Sequence, residues 1–358
     1  VARKARTGPR RVSQADVARH AGVSSGIVSS VINARDYGSI RVSDATRERV
    51  LASVRELGYI PDIAARNLAR GSNRLIGVFT YEAMFPMGSQ NFYHEFLVGI
   101  EEAADQAEYH LLLVTGAKNA EQRRSIYAGG VNHLRLADGG LLLGTNESSE
   151  EITRLAGEGY PFVFVGEREF PGVELSYVAA DYVEGTAELV GRAVALGHRR
   201  IAMAAGRHLE SIPARRAGFA LARQRYGLSE TDTPILPLAA DGDNAPTDAV
   251  TPDGFVAAAI ERGCTALVLE NSIAAVGIRA AAARRGVTIP GDLSLIGLSG
   301  AQFRPEDADL TEMSIPRYEM GAEAVKLLLR LIADPESAPQ RTRLDCGIRD
   351  GATLTRPA

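Results

Sequence analysis

The chain has 358 residues, more than a single core usually holds, and its 45% hydrophobic and 23% charged content excludes a disordered or fibrous polymer in favour of a soluble globular protein. Its only cysteines, Cys264 and Cys346, exclude a disulfide framework or a cysteine metal cluster, and the six histidines show no metal-ligand spacing, so neither a metal nor a cofactor is expected. No run of roughly 18 or more apolar residues occurs, and no apolar signal segment follows the basic first eleven residues; the expectation is a cytoplasmic chain with no membrane partner.

The net charge of −4 conceals an asymmetry. Residues 1–74 hold 14 Lys and Arg against six Asp and Glu, whereas the remaining residues hold 26 against 38. A basic head on an acidic body implies that the head meets a polyanion. A solubilising tail would explain Arg3, Lys4, Arg6, Arg10 and Arg11, but Arg35, Arg41, Arg47, Arg49, Arg66, Arg70 and Arg74 extend the excess through the segments that follow.

In chain order, residues 1–11 read as a flexible basic arm. Ser13 with Asp16 forms an acidic variant of the capping box, and Ala15, Val17, Ala18 and Ala21 supply the apolar face of a short helix that stops at Gly22. Ser24 can cap a second helix through Ile27, Val28, Val31 and Ile32. Two such helices joined by a glycine turn spell a helix-turn-helix, and the ordinary alternative is a helical hairpin in a small bundle. In the DNA-binding version the second helix enters the major groove by its N-terminal part, which singles out Ser24, Ser25, Gly26, Ser29 and Ser30, with Asn33 at its far end. A loop over 33–41 leads to a third helix capped by Ser43 and stopped by Gly58, with Tyr59 and Ile60 expected to cover the three-helix core. The run 61–71 starts on Pro61 and ends on Gly71, too short to be a stable helix alone, and should order only against a partner.

From Arg74 onward strands alternate with helices. Apolar runs at 75–80, 111–114, 140–143, 162–165, 178–180, 201–204, 235–238, 266–269 and 293–298 predict strands; amphipathic stretches at 93–106, 121–133, 150–157, 183–196, 213–226, 254–262 and 273–285 predict helices. Such alternation gives parallel sheets covered on both faces, and so many strands call for two lobes, the first ending near Gly166 and the second beginning near Asp181. Ligands of such sheets sit beyond the carboxyl ends of strands, which makes Tyr81, Phe92, Glu167 and Arg168 candidate walls of a cleft. No glycine-rich dinucleotide or phosphate loop, zinc-protease motif or nucleophile elbow occurs.

Several segments together resemble the LacI/GalR (lactose and galactose repressor) family of bacterial transcription regulators. They are Asp16-Val17-Ala18-Arg19-His20-Ala21-Gly22-Val23-Ser24, Val28-Ser29, Val31-Ile32-Asn33, Arg41-Val42-Ser43, Thr46-Arg47, Leu57-Gly58-Tyr59-Ile60-Pro61, Ala65-Arg66, Leu68, Leu196-Gly197-His198-Arg199-Arg200-Ile201-Ala202, and Arg215 before Gly218-Phe219. The resemblance spans residues 11–355. It implies an all-α helix-turn-helix head and an α/β core of two doubly wound parallel-sheet lobes resembling periplasmic binding protein type I. The organisation implied is an arm at 1–11, a DNA-binding domain at 12–60, a hinge helix at 61–73 and an effector-binding and dimerisation core at 74–358.

The partners implied are double-stranded operator DNA, a second copy of the chain in a homodimer or tetramer, and a small effector: a sugar, sugar acid or sugar phosphate. In the hinge, Leu68 would wedge into the minor groove with Arg66 and Arg70 near phosphates. Arg215 would grip an oxygen-rich effector. Asn271, followed by Ser272, stands where sugar-responsive relatives carry Asp, and Gly297-Leu298-Ser299-Gly300 replaces a segment with two carboxylates, which admits an anionic ligand as readily as a neutral one. Helices over 92–107 and 121–133 would be candidate dimer contacts. The rival readings are a sugar-binding protein or an α/β enzyme with no DNA-binding role.

Overall fold

The computed structural model describes residues 12–33, 42–60, 72–82, 92–115, 118–119, 123–144, 147–206, 212–238, 250–299 and 309–358, with only the backbone of Asn33. The chain divides into two compact units, 1–73 and 74–358. The arm and the segment 61–71, including Arg66, Leu68 and Arg70, lie outside the described residues.

The first unit contains α1 (Gln14–Ala21), α2 (Ser25–Asn33) and α3 (Asp44–Glu56). The Asp16 amide donates to Ser13 Oγ at 3.3 Å while the Ser13 amide donates to the Asp16 carboxylate at 2.9 Å, closing the capping box. Gly22 ends α1 in the left-handed conformation at φ 67°, and the Val23 amide returns to the Ala18 carbonyl at 3.0 Å. Val17, Ala18, Ala21, Val28, Val31 and Val50 form the core. Tyr59 packs on it, with its amide on the Val54 carbonyl, but Ile60 is 80% exposed and covers nothing. The Arg49 Nε donates to the Ala21 carbonyl at 2.9 Å and His20 Nδ1 lies 3.0 Å from Ser53 Oγ, so α3 is tied to α1 by polar groups as well as by packing.

The second unit holds two six-stranded sheets. The first is built from β1 (Leu75–Thr80), β2 (His110–Val114), β3 (Gly139–Leu143), β4 (Phe162–Val165), β5 (Tyr177–Asp181) and β11 (Arg341–Asp345), in the order β11-β5-β4-β3-β1-β2 and parallel throughout. The second uses β6 (Ile201–Ala205), β7 (Ile235–Pro237), β8 (Ala266–Leu269), β9 (Ser294–Gly297), β10 (Thr311–Ser314) and β12 (Gly347–Arg349), in the order β12-β10-β9-β8-β6-β7, with only β12 antiparallel. The helices are α4 (His94–Gln106), α5 (Ser149–Gly157), α6 (Tyr182–Ala195), α7 (Ile212–Tyr226), α8 (Pro252–Glu261), α9 (Ala275–Arg284) and α10 (Arg317–Ala333).

The chain leaves the first sheet after β5 and returns after β10 through α10, which packs on β3, β4 and β5. It crosses again at Cys346, the single residue between β11 and β12. In each sheet the order reverses beside one strand: β1 lies between β2 and β3, and β6 between β7 and β8. Connections diverge to opposite faces there, leaving a crevice at the carboxyl ends.

The structure corrects three sequence expectations. Residues 123–133 form no α-helix but an irregular stretch with a 3-10 turn, because Gly129 and Gly130 take positive φ of 67° and 81° and the Ile126 amide is drawn to the Glu151 carboxylate. The candidate dimer helix over 121–133 is therefore withdrawn. The strand–helix alternation also continues past Leu298: α10 is the longest described helix, and its buried Met320, Ala324, Val325, Leu327, Leu328 and Leu331 recur at helical spacing. Finally, β10, β11 and β12 escape an apolar-run criterion because they are short and polar; the buried Glu312 in β10 is neutralised by Arg349 of the adjoining β12, with Nε at 3.1 Å.

Candidate nucleic-acid interface and effector cleft

In the head, the Ile27 amide donates to Ser24 Oγ at 3.3 Å, so Ser24 caps α2 and fixes the direction in which its first turn points. Ser25 and Gly26 are exposed, and Ser29, one turn beyond Ser25, is half-buried. These three share the accessible start of α2. Ser30 is only 6% exposed, because α2 packs on both α1 and α3 and its buried arc is wider than the Val28–Val31 strip; it is not a groove-facing residue. The groove face is thus small and uncharged, with a glycine where a base-reading side chain would stand.

In the core, the candidate residues collect at the carboxyl ends of the two sheets. Tyr81 follows β1, and its hydroxyl donates to Glu151 at 3.4 Å; burial first, then the charge of Glu151, pushes the phenol well above its ordinary range, so it serves as a donor. Glu167 follows β4 and accepts from the Tyr177 hydroxyl at 3.0 Å and from Arg343 at 2.5 Å. Burial raises its carboxyl, but the bonds from Arg343 and Tyr177 outweigh that and hold it below the usual carboxylate range. Arg168 is buried, with Nε 2.7 Å from Glu147 and further bonds to the Glu167 and Gly144 carbonyls. It braces the loops after β3 and β4 and is withdrawn as a ligand residue.

On the second sheet, Asn271 caps the 3-10 turn Ser272–Ala274, accepting from the Ile273 amide at 3.1 Å, and remains partly exposed. Ser272 is wholly buried: its amide donates to Ser299 Oγ at 2.8 Å and its own Oγ accepts from the Ser299 amide at 3.4 Å. This reciprocal clip joins the loops after β8 and β9 and removes Ser272 from the ligand set. Arg215 on α7 is 2% exposed, donates from one terminal nitrogen to the Glu270 carbonyl at 3.0 Å and lies 4.9 Å over the Tyr182 ring. Phe92 is half-exposed, and the Arg317 guanidinium sits 5.3 Å over its ring.

Three residues absent from the sequence reading complete the site. Glu270, wholly buried at the end of β8, accepts from Arg216 Nε and from the Gly206 amide, each at 2.6 Å. Arg317 opens α10, pairs with Glu95 at 3.2 Å and donates to the Ser299 carbonyl at 2.8 Å, joining the helix on the first sheet to the end of β9 in the second. Glu270 and Arg216 adjoin residues already singled out, and Arg317 lay in the unread helix. Among the described residues no group of His, Cys, Asp and Glu is placed to hold a metal ion, and no helix is long and apolar enough to cross a membrane.

A helix-turn-helix head joined to a doubly wound two-lobed core defines a ligand-binding regulator class. Residues 14–62 match the family described as bacterial regulatory proteins, lacI family, and residues 190–354 match the periplasmic binding protein-like domain. The chain is 30% identical to the HTH-type transcriptional repressor CytR of Escherichia coli (strain K12), covering 99% of this chain and all of that one. It is also 30% identical to the HTH-type transcriptional regulator CelR of Thermobifida fusca, over 94% and 96% of the two chains. Among solved structures, the lac repressor dimer bound to operator and the anti-inducer ONPF superposes with a TM-score of 0.71 at 22% identity, covering 97% of this chain and all of that one. A CelR–cellobiose complex superposes with a TM-score of 0.58 at 25% identity, covering 96% and 100%. The chain belongs to the LacI family of bacterial regulatory proteins; it is a DNA-binding transcriptional regulator, and its relatives are regulators rather than enzymes.

Proposed function

We propose that this regulator represses transcription as a homodimer on a pseudo-palindromic operator, and that a small polar effector in the crevice between the lobes sets its operator affinity. The observation that carries the reading is the gathering of Arg215, Arg317, Asn271 and Glu167 at the strand ends of a core that shares its chain with a capped helix-turn-helix head. The solved CelR relative is a complex with cellobiose, and the solved lac repressor is a dimer on its operator, which supports a sugar-like effector and a paired head here.

The assignment of parts is an arm at 1–11, a DNA-binding domain at 12–60, a hinge at 61–73 and an effector and dimerisation core at 74–358. Ser24, Ser25, Gly26, Ser29 and Asn33 approach the major groove, with Arg66, Leu68 and Arg70 at the hinge. A groove lined by Val98, Glu101, Glu102, Asp105, Tyr109, His110 and Leu111, with Leu113 exposed beside it, supports α4 and β2 as a dimer face. The site of action is the cytoplasm, where the bacterial chromosome lies.

Effector binding must favour one lobe arrangement over another, and a coupling of about 1–3 kcal/mol changes operator affinity roughly 5- to 150-fold. Selection of random double-stranded DNA on the full-length chain tests the reading. Enrichment of a two-fold symmetric site is the expected result; enrichment of none, at low salt and with candidate sugars and sugar phosphates present, would overturn it.

A further inference from the structure

We propose that the effector is an anion, a polyhydroxylated compound bearing a carboxylate or phosphate, held by the buried guanidinium groups of Arg215 and Arg317. The inference rests on the effector cleft proposed above and specifies the chemistry it takes.

Arg215 is the observation that carries it. At 2% exposure it uses little of its fork of donors: one terminal nitrogen meets the Glu270 carbonyl, and Nε has no hydrogen-bond partner among the described residues. No carboxylate lies within ion-pair distance of it among those residues. The buried carboxylate beside it, Glu270, is committed to Arg216 at 2.6 and 3.3 Å and to the Gly206 amide. The Tyr182 ring offers a π face but no formal counter-charge.

A second cation stands nearby. Arg215 is anchored to the carbonyl just after β8 and Arg317 to the Ser299 carbonyl just after β9, and these strands pair in register with Leu269 opposite Gly297. The two guanidinium groups therefore bind carbonyls that follow neighbouring parallel strands. Burial and the like charge of Arg317 both act against the charged form of Arg215, while Tyr182, Glu270 and Cys346 act for it. The partner of Arg317, Glu95, keeps 42% of its side chain in solvent.

The acids on the first sheet's side are already engaged: Glu147 with Arg168, Glu151 with Ser125 and Tyr81, Glu167 with Arg343 and Tyr177. A neutral hydroxyl would take a hydrogen bond from Arg215 but leave its buried charge uncompensated. An oxyanion supplies both.

The test follows melting of the full-length protein at constant ionic strength with inorganic phosphate, gluconate, glucose 6-phosphate or glucose, using wild type, Arg215→Met, Arg215→Lys and Arg317→Met. A saturable rise with at least one anion and none with glucose is expected, with apparent affinity at least tenfold weaker in Arg215→Met and Arg317→Met and part of it restored in Arg215→Lys. The charge-retaining variant keeps the test informative where a methionine variant fails to fold. Saturation by glucose alone, no saturable response to any probe, or an equal response in wild type and variants would each overturn the anion assignment. Each of those results leaves the regulator reading standing if the same protein still enriches a symmetric DNA site; loss of that enrichment sinks the regulator reading instead.

Discussion

Arg216 closes on Glu270 with its Nε 2.6 Å from a carboxylate oxygen that is wholly buried. The other oxygen takes the Gly206 amide, so one side chain ties the end of β6 to the end of β8 at the point where the sheet order reverses. Removing the cation strands the carboxylate in the interior, although 41% exposure of the Arg216 side chain lets solvent screen the pair. Arg216→Met should lower core stability by about 1–3 kcal/mol, and adding Glu270→Gln should recover part of the loss. Calorimetric unfolding of the four proteins in the cycle measures this. An unchanged transition in Arg216→Met would mean that the pair contributes nothing.

The start of α2 separates contacts to DNA from contacts to the core. An added Cβ on Gly26 would meet only Ser24 Oγ, at 3.7 Å, so Gly26→Ala should stabilise the head by about 0.5–1 kcal/mol. The same methyl would lie on the groove side, and operator affinity should fall. Ser25→Ala should likewise weaken operator binding, whereas Ser30→Ala, at a buried position, should shift the melting temperature and leave sequence preference alone. Band-shift titrations beside thermal melts distinguish the two classes; altered sequence preference in Ser30→Ala would return that residue to the groove.

Leu68 lies outside the described residues, and its role is proposed from the family resemblance alone. Leu68→Ala should cost specific operator binding about 1–3 kcal/mol while effector binding and dimerisation persist, because only a minor-groove wedge is lost. Equal operator affinity for wild type and variant would assign Leu68 to packing.

The fold was legible where local chemistry is strong. Ser13, Ser24 and Ser43 cap helices as their spacing implies, and β1, β4 and β8 coincide with apolar runs because both faces of those strands are buried. It was illegible where tertiary contacts override local pattern. Glu312 sits in a strand only because Arg349 arrives from far along the chain, and residues 123–133 read as an amphipathic helix until Gly129 and Gly130 take left-handed turns. The candidate site fared similarly. Arg215 was found by resemblance, but whether a polar residue braces loops, as Arg168 and Ser272 do, or keeps donors in reserve depends on partners distant in sequence.

His198 gives the core a pH-dependent element. Its Nε2 lies 2.7 Å from the Thr355 carbonyl, which can only accept, so that nitrogen carries the proton and Nδ1 accepts from the Thr265 hydroxyl at 2.8 Å. Burial pulls its pKa below the ordinary value of about 6.5, with the Thr355 bond opposing. The unfolded chain therefore takes up a proton first on acidification. The contribution of the neutral imidazole is complete above about pH 6.5 and is lost as pH falls through the lower folded value. Stability measured from pH 7.5 to pH 5 should decline more steeply for wild type than for His198→Gln, and parallel profiles would remove His198 from the account.

The helix pair beneath the first sheet depends on two glycines. A Cβ on Gly99 of α4 would lie 2.0 Å from the Tyr318 carbonyl oxygen, and one on Gly321 of α10 would lie 2.3 Å from the Phe96 carbonyl oxygen. Each obstacle is backbone, which cannot rotate aside as a long side chain can. Alanine at either position must push α4 and α10 apart, and α10 carries Arg317 at its first turn, so the displacement reaches the strand-end contact with Ser299. Gly99→Ala and Gly321→Ala should each destabilise the core by about 1–3 kcal/mol or more. Gly157→Ala provides the contrast: it ends α5, nothing lies within 4 Å of its added Cβ, and it should be neutral or stabilising by up to about 1 kcal/mol. Thermal melts of the three variants decide the matter. A common small shift for all three would show that the α4–α10 contact yields freely, and the link from helix packing to the cleft would fail with it.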